Sequence, residues 1–355
     1  MKISASIYAR DHDRESEALE ATVRELDAHR VDYLHVDCRD NMAVFDDIRR
    51  IKKVSSTPID LHLITPDPAP YFDPIRELGV ELISIQSEPL TAPLSVPADL
   101  AARTGWACTT ETPVEAFAAY RDQLSFALFM ATTPGQSGGH FDRSNFERIR
   151  RFRRLFPGVP VHVDGGVDEA VSFILRNLGV RAAVSGSYLL PRGASELPLG
   201  SRLLALHRGE ESRGFADSTE TDFRVADFML RGDELPVLPW PSAEGRPDFA
   251  TLLQAIEDYA MGFVLLQQPD GRLAGLISNA DVRRGLLRVL PDWQSLRVVD
   301  LLNPTPFTVR DDLRVGELLE AVKACPFPVA YLPVLDTDQC LVGALQFNNL
   351  IKGEA

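Results

Sequence analysis

The chain has 355 residues, of which 45% are hydrophobic and 25% charged, an ordinary composition for a globular protein. This length predicts two domains, or three small ones. The formal net charge of −14 argues against nucleic-acid or anionic-membrane binding, since both need a basic surface. The N-terminus lacks the apolar core of a signal peptide, no apolar run is long enough to span a membrane, and the cysteines show no paired spacing. We therefore expect a cytoplasmic protein.

Short β-rich runs alternate with amphipathic helical patterns from residue 1 to about residue 208. We predict eight strands, in the runs ISASIY, YLHVDC, IDLHLI, LISIQS, GWACTT, FALFMAT, VHVDGG and AAVSGS. The helical patterns between them include RESEALEATVRELDAH, MAVFDDIRRIKKV, PVEAFAAYRDQL, SNFERIRRFRRLF and DEAVSFILRNL. This alternation predicts an α/β fold, a parallel (β/α)₈ TIM barrel over residues 1–208, with a doubly wound sheet as the alternative.

A polar, charged stretch at 209–222 follows, and we predict that it is a linker. Residues 223–355 then contain an internal repeat at a spacing of about 70 residues. Each copy reads as a helix, an apolar strand, an Asp-containing turn, a strand around a glycine (Gly275 or Gly343), and a further helix. We therefore predict that the second domain is a tandem α+β pair.

Polar side chains fall towards the C-terminal ends of several predicted strands, the face that carries the chemistry of (β/α)₈ barrels. Residues two apart on a strand share a face, so His35 pairs with Asp37 and His162 with Asp164. His62, on the neighbouring strand, can join the first pair. A lone strand histidine is more often a core or surface residue. Two imidazoles and two carboxylates at a barrel mouth, however, suit a divalent metal ion with open positions for substrate.

Glycine-rich segments follow the last three strands predicted for the barrel. Backbone N–H groups in such loops can bind a phosphate closely, although ordinary turn chemistry explains any one of them alone. Because three such segments occur in this order, we predict a phosphate site formed by Gly135, Ser137, Gly138, Gly165, Gly166, Gly186 and Ser187.

These motifs resemble those of the ribulose-phosphate 3-epimerase family, which are (β/α)₈ metalloenzymes. The matching blocks are ASI (5–7), HVDCRDN (35–41), LHLI (61–64), MATTPGQSGG (130–139), VDGG (163–166) and GS (186–187). The resemblance implies a divalent metal ion (Zn, Fe, Mn or Mg) with the ligands His35, Asp37, His62 and Asp164. It also implies that Asp37 and Asp164 are the catalytic acid and base and that Ser6 helps to hold the network. It assigns no role to His162.

The activity implied by this resemblance is that of an isomerase of carbohydrate metabolism, a metal-dependent ketose-phosphate 3-epimerase acting on ribulose 5-phosphate and xylulose 5-phosphate or a related sugar phosphate. One aspartate would remove the proton beside the carbonyl and the other would return a proton to the opposite face, while the metal stabilises the enediolate charge. The alternatives are a sensor or scaffold that binds a sugar phosphate without turnover, and a lyase or isomerase on the same barrel.

The chain departs from the family pattern close to the expected site. Arg39 and Ile64 replace apolar methionines, whereas Met130 is kept. Gln86 stands where a histidine is common, and Gly139 replaces the glutamine of the phosphate loop. Arg39 either pairs with an extra anionic group of a different sugar phosphate or is a surface side chain. Arg39 and Met130 are candidate substrate contacts.

Residues 223–355 resemble a tandem pair of CBS domains like those of arabinose-5-phosphate isomerases, most clearly over 225–238 and 270–287. The resemblance implies that Ser278 and Asp281 hold a nucleotide or nucleotide-sugar effector, while Gln346 and Asn349 mark a degraded second site. It also implies a homo-oligomer with an even number of chains. The alternative is that the pair only dimerises the chain. Association with such isomerases suggests a pathway that supplies a pentose phosphate for a surface glycan.

Overall fold

The computed structural model describes residues 1–9, 16–92, 94–136, 138–192, 197–208, 223–241 and 245–347. They divide into two compact units, one holding the described residues up to 208 and the other those from 223 onward. The linker expected at 209–222, the phosphate-site residue Ser137 and Asn349 lie outside the described residues. Among the helices described, none is both long and apolar enough to cross a membrane.

The first unit is a barrel of eight parallel strands in sequential order, closed by pairing of the eighth strand with the first. The strands are Lys2–Ser6 (β1), Tyr33–Cys38 (β2), Ile59–Leu63 (β3), Leu82–Gln86 (β4), Thr104–Thr109 (β5), Ala127–Met130 (β6), Val161–Asp164 (β7) and Ala182–Ser185 (β8). Each overlaps a predicted run. The (β/α)₈ prediction is confirmed, and the doubly wound alternative is wrong because the sheet closes on itself.

Seven helices in the described part of this unit accompany the strands: Ser16–Ala28 (α1), Val44–Val54 (α2), Phe72–Leu78 (α3), Ala98–Ala101 (α4), Ser144–Leu155 (α5), Glu169–Asn177 (α6) and Leu199–Arg208 (α7). The helix predicted at 113–124 forms 3₁₀ turns over Val114–Gln123 instead. Its anchoring side chains explain the difference. Val114 and Phe117 are buried, and Tyr120 stacks on Trp106 with ring centroids 3.8 Å apart. A spacing of three matches the 3₁₀ repeat rather than the α-helical one.

Strand register places the polar side chains of β2 and β3 on the inner face of the barrel. On β2 and β3, His35 lies beside Asp60 and Asp37 lies beside His62. The opposite wall is apolar, with a buried cluster of Ala107, Leu128 and Met130 on β5 and β6. The inside of the barrel is therefore polar on one side and apolar on the other.

The second unit contains two three-stranded sheets of the same design. Their strands are Val237–Pro239 (β9), Phe263–Gln267 (β10) and Leu273–Ser278 (β11), then Val309–Arg310 (β12), Tyr331–Leu335 (β13) and Leu341–Gln346 (β14). The helices described here are Val225–Phe228 (α8), Phe249–Tyr259 (α9), Asn279–Val289 (α10) and Val315–Ala324 (α11). In each half a parallel pair is followed by an antiparallel hairpin, so the predicted internal repeat is present.

Each half of this unit places its leading segment on the sheet of the other half. Leu230, before β9, pairs with Ala344 of β14 through backbone hydrogen bonds of 2.9 and 3.2 Å. Asn303, before β12, pairs likewise with Leu276 of β11, at 3.0 and 2.9 Å. A Cβ at Gly275 would lie 2.4 Å from the Asn303 carbonyl oxygen, so this approach requires glycine. The two halves are therefore interleaved.

Candidate active site

Four side chains meet at the C-terminal ends of β2, β3 and β7, and one potential ligand atom of each lies within 4.8 Å of the other three. They are His35, Asp37, His62 and Asp164, which we call the His–Asp cluster. Asp37 Oδ1 lies 3.4 Å from His35 Nε2 and 3.3 Å from His62 Nδ1. Asp164 Oδ2, from across the barrel, lies 3.5 Å from His35 Nε2. The four residues that the sequence singled out thus converge.

Each histidine of the cluster is held through its other ring nitrogen. His35 Nδ1 lies 3.0 Å from Asp60 Oδ2, which also accepts a hydrogen bond from Ser4 Oγ at 2.8 Å. His62 Nε2 lies 2.8 Å from Gln86 Oε1. Such partners fix the ring orientation and leave the inward nitrogen able to bind a cation. The role of Asp60 was missed from the sequence, although it stands two residues before His62, the spacing that links His35 to Asp37.

Three buried polar atoms of the cluster have no hydrogen-bond partner among the described residues: His35 Nε2, Asp37 Oδ1 and His62 Nδ1. Buried polar atoms are nearly always paired, and leaving one unpaired costs roughly 1–3 kcal/mol. These atoms face one another, and a divalent cation between them would satisfy all three. Imidazole nitrogen and carboxylate oxygen are suitable ligands for Zn²⁺, Fe²⁺ or Mn²⁺. The residues therefore fit a divalent metal ion.

The electrostatics of the cluster favour positive charge at its centre. Burial alone would lower the pKa of His35, but the carboxylates of Asp60, Asp164 and Asp37 outweigh burial and hold that pKa well above its usual value. Burial opposes ionisation of Asp37, yet His35 and His62 hold the pKa of this carboxyl well below its usual range. Without a cation the cluster thus recruits a proton, which a divalent ion would displace.

A cleft of about 440 Å³ opens above the cluster. Asp37 and Asp164 line it, together with Ser6 and Met130. The glycine-rich loops form another side, contributing Gly135, Gly138, Gly165, Gly166, Gly186 and Ser187. Thr132, Thr133 and Gln136 also line it and were not predicted, although they belong to the first of these loops. The described phosphate-site candidates therefore border the cleft that contains both aspartates.

Arg39 lies beside this cleft, against one of the glycine-rich loops. Its Cδ is 2.7 Å from the position that a Cβ at Gly135 would take. The next residue, Asp40, has a φ of +50° and accepts hydrogen bonds from Thr65 Oγ1 at 2.7 Å and from the Tyr71 hydroxyl at 2.9 Å. The chain is thus tied down immediately after Arg39, whose contact with substrate stays a prediction.

His162 lies lower in the barrel and is not one of the cluster residues. Its ring stacks on Phe126, with centroids 4.2 Å apart. Burial lowers the pKa of His162 to about 4, so the ring is neutral at physiological pH. Its position indicates a packing role within the barrel.

Residues 2–190 match the model of the Ribulose-phosphate 3 epimerase family, which is more than half of the chain. The chain belongs to the ribulose-phosphate 3-epimerase family. It is 28% identical over 218 residues to the ribulose-phosphate 3-epimerase of Aquifex aeolicus, covering 58% of this chain and 96% of that protein. Identity to the Bacillus subtilis enzyme is 23% over 201 residues, covering 53% and 91%. The barrel is accordingly that of an isomerase acting on sugar phosphates, as predicted.

Among solved structures, the chain is similar to the CBS-pair protein CBSX2 from Arabidopsis thaliana. Identity is 22% and the TM-score is 0.30, covering 38% of this chain and 94% of that chain. A structure of CBSX2 in complex with AMP has 24% identity and a TM-score of 0.29, covering 37% and 95%. The two-repeat architecture expected of a CBS pair is visible directly in the paired sheets of the second unit.

Ser278 and Asp281, the predicted nucleotide ligands, bond to each other at the start of α10. The Ser278 hydroxyl donates to Asp281 Oδ2 at 2.6 Å, and the Ser278 N–H donates to the same oxygen at 2.9 Å. The Asp281 N–H donates to Ser278 Oγ at 3.3 Å, and Arg284 donates to Asp281 Oδ1 at 2.5 Å. The pair therefore forms a capping box that starts this helix. Its role in ligand binding stays a prediction.

Proposed function

We propose that this chain is a metal-dependent ketose-phosphate 3-epimerase with Asp37 and Asp164 as its acid–base pair. The observation that carries the proposal is the group of buried atoms in the His–Asp cluster that lack hydrogen-bond partners and that a divalent cation would satisfy. Further support comes from the two aspartates, which stand on β2 and β7 and line one cleft. Their side chains are 16% and 14% exposed, so substrate can reach both.

The proposed reaction inverts the configuration at C3 of a ketose phosphate such as ribulose 5-phosphate. Backbone N–H groups of the glycine-rich loops, including Gly166 and Gly186, bind the phosphate and hold the sugar over the cluster. One aspartate removes the C3 proton beside the C2 carbonyl, and the other donates a proton to the opposite face. A bound divalent cation supplies positive charge that stabilises the enediolate.

Proton NMR of ribulose 5-phosphate in D₂O tests this proposal. Metal-reconstituted wild-type protein should exchange the C3 proton and form xylulose 5-phosphate, whereas Asp37→Asn and Asp164→Asn should each slow exchange by about 10²–10⁴-fold. Asp40→Asn is the matched control, because Asp40 bonds to Thr65 and Tyr71 and does not belong to the cluster. Removing the metal with a chelator should stop exchange, and adding it back should restore it.

Three results would contradict the proposal in different ways. Near-normal exchange by both asparagine variants would overturn the acid–base assignment. Exchange without xylulose 5-phosphate would indicate a lyase or another isomerase. Binding of ribulose 5-phosphate with no exchange would favour a sugar-phosphate sensor or scaffold.

For the second unit we propose a regulatory role, in which the CBS pair binds a nucleotide or nucleotide-sugar at the start of α10. The support is the resemblance of this unit to CBS pairs together with the placement of Ser278, Asp281 and Arg284 around one helix N-terminus, where the helix dipole favours a phosphate. AMP or ATP at millimolar concentration should raise the melting temperature of the wild-type protein. If neither nucleotide nor a nucleotide-sugar shifts it, the pair serves only to join chains.

A further inference from the structure

A chain of hydrogen bonds leads from His62 out of the barrel to the loop after β5. His62 Nε2 contacts Gln86 Oε1 at 2.8 Å, and Gln86 Nε2 donates to Glu88 Oε2 at 2.5 Å. The other carboxylate oxygen, Glu88 Oε1, accepts from the Thr109 N–H at 2.8 Å, the Thr109 hydroxyl at 3.1 Å and the Thr112 hydroxyl. His62 and Gln86 are buried, with 0% and 1% of their surface exposed, whereas Glu88 stands at the rim.

The Thr109 N–H and the Glu88 carboxylate, at the outer end, determine the donor and the acceptor of every hydrogen bond in this series. A backbone N–H only donates, so the Glu88 oxygen facing Thr109 must accept. An ionised carboxylate has no proton to give, so Gln86 must turn its NH₂ group towards Glu88. The amide oxygen of Gln86 then faces His62, and the proton on that ring must sit on Nε2. Nδ1 is left with its lone pair directed into the His–Asp cluster.

Glutamine alone would not fix this direction, because an amide can present either its oxygen or its NH₂ group to a neighbour. Glu88 therefore determines which end of the Gln86 amide faces His62. Burial would raise the pKa of Glu88, but hydrogen bonds from Thr112, the Thr109 N–H and Gln86 outweigh burial and hold that pKa below its usual value. Glu88 consequently stays an acceptor at neutral pH.

We propose that Glu88 is a positioning residue, which acts through Gln86 to hold His62 in the tautomer whose Nδ1 can bind a divalent cation. The proposal rests on the proposed function only for the statement that the cluster is a cation site. Glu88 belongs neither to the cluster nor to the described residues that line the cleft, and it bonds to Gln86, so its effect passes through Gln86.

The variant Glu88→Gln should reverse the direction of the hydrogen bonds between residue 88 and His62 while nearly keeping the shape of the side chain at position 88. The Thr109 N–H still needs an acceptor, so the new amide would turn its oxygen to Thr109 and its NH₂ group to Gln86. Gln86 would flip to accept that bond and would present its own NH₂ group to His62. The proton on His62 would then move to Nδ1 and block cation binding. Glu88→Ala, which leaves Gln86 free to take either orientation, should be less harmful.

Two measurements test whether Glu88→Gln is more harmful than Glu88→Ala. Long-range ¹H–¹⁵N NMR of ¹⁵N-histidine-labelled, metal-free protein should show His62 with the proton on Nε2 in the wild type and on Nδ1 in Glu88→Gln. The affinity for Co²⁺, followed by its visible absorption, should fall by about 10–100-fold in Glu88→Gln, the range typical for losing a partner of a metal-bound histidine. The Co²⁺ affinity of Glu88→Ala should lie between those of the wild type and of Glu88→Gln. Thr112→Val, which removes one donor without changing direction, should stay close to wild type.

A residue that merely packs would give the opposite order, because glutamine nearly matches glutamate in shape and alanine does not. Co²⁺ affinity in Glu88→Gln equal to or better than in Glu88→Ala, or an unchanged His62 tautomer, would overturn the proposal. Neither readout needs turnover. Failure of wild-type proton exchange would thus count against the proposed function alone, whereas a wrong order among the Glu88 variants would count against this inference alone.

Discussion

At the scale of single residues, the site depends on acceptors that stand behind the two histidines. Asp60 and Gln86 each take a hydrogen bond from one ring and leave its other nitrogen facing inward. The sequence predicted the four cluster residues from strand spacing and family resemblance. The same spacing could have found Asp60 through the pair Asp60 and His62. The contact of Glu88 with Thr109 could not be predicted, because it depends on how β4 and β5 align.

The glycine-rich wall of the cleft gives a prediction at this scale. Gly138 and Gly166 both have positive φ, +88° and +62°, but their surroundings differ. A Cβ at Gly138 would meet none of the described residues within 4 Å, its chain neighbours aside, whereas one at Gly166 would lie 2.3 Å from the backbone nitrogen of Phe141. Gly138→Ala should cost only the backbone strain, about 1–3 kcal/mol of unfolding free energy. Gly166→Ala should cost more, because backbone must also move.

Scanning calorimetry of both variants would check this order, with a larger fall in melting temperature expected for Gly166→Ala. Equal falls in melting temperature would mean that the backbone at Phe141 moves away from the new Cβ at no further cost in free energy. Competition by inorganic phosphate in the exchange assay would show whether the same substitution also weakens anion binding.

At the scale of elements, the β-branched runs located all eight barrel strands because each is short, buried and bounded by a helical pattern. The segment at Val114–Gln123 was harder to predict, since its composition is helical and only the spacing of its anchors, at three residues, distinguishes the 3₁₀ form. The sequence predicted the repeat in the second unit but not the interleaving of its two halves. Leu230 pairs with Ala344, which is far away in sequence, and a local sequence pattern cannot predict such a pairing.

The start of α10 supplies the prediction at this scale. Ser278→Ala removes the hydroxyl that accepts from the Asp281 N–H, so the helix should lose about 1 kcal/mol of stability. Ser295→Ala is the matched control, since its hydroxyl donates to the carbonyl of the exposed Asp292 and its loss should fall within about 0.5 kcal/mol. Hydrogen exchange should show faster opening of the first turn of α10 in Ser278→Ala only. Unchanged exchange there would mean that the hydroxyl does not cap the helix.

At the scale of the whole molecule, each unit has its own core and the proposed catalytic residues all belong to the barrel. The barrel closes through β1 and β8, and α7 packs against α6, where Ser172 donates to the Leu206 carbonyl oxygen of α7 at 2.6 Å. The sequence placed the change of architecture between these units from composition alone, because the polar stretch at 209–222 separates two different hydrophobic patterns. The boundaries themselves stay a prediction.

A fragment of residues 1–208 tests this division. We expect it to fold, to bind Co²⁺ within about twofold of the full-length affinity, and to keep proton exchange, while losing any response to nucleotide. Circular dichroism and the Co²⁺ titration would be compared with the full chain. A fragment that folds but binds Co²⁺ poorly would show that the second unit supports the cluster.

The interleaving of the two halves also bears on how the protein is made. A chain growing from the ribosome releases β11 well before Asn303, the residue that completes its hydrogen bonding through Leu276. The segment around Leu230 appears earlier still and must wait for its partner Ala344, which follows much later in the chain. During that interval both sheet edges and the close approach at Gly275 remain open to other strands. Translation speed and chaperone access between the synthesis of Leu230 and that of Ala344 should therefore govern the yield of native protein more than anything in the barrel.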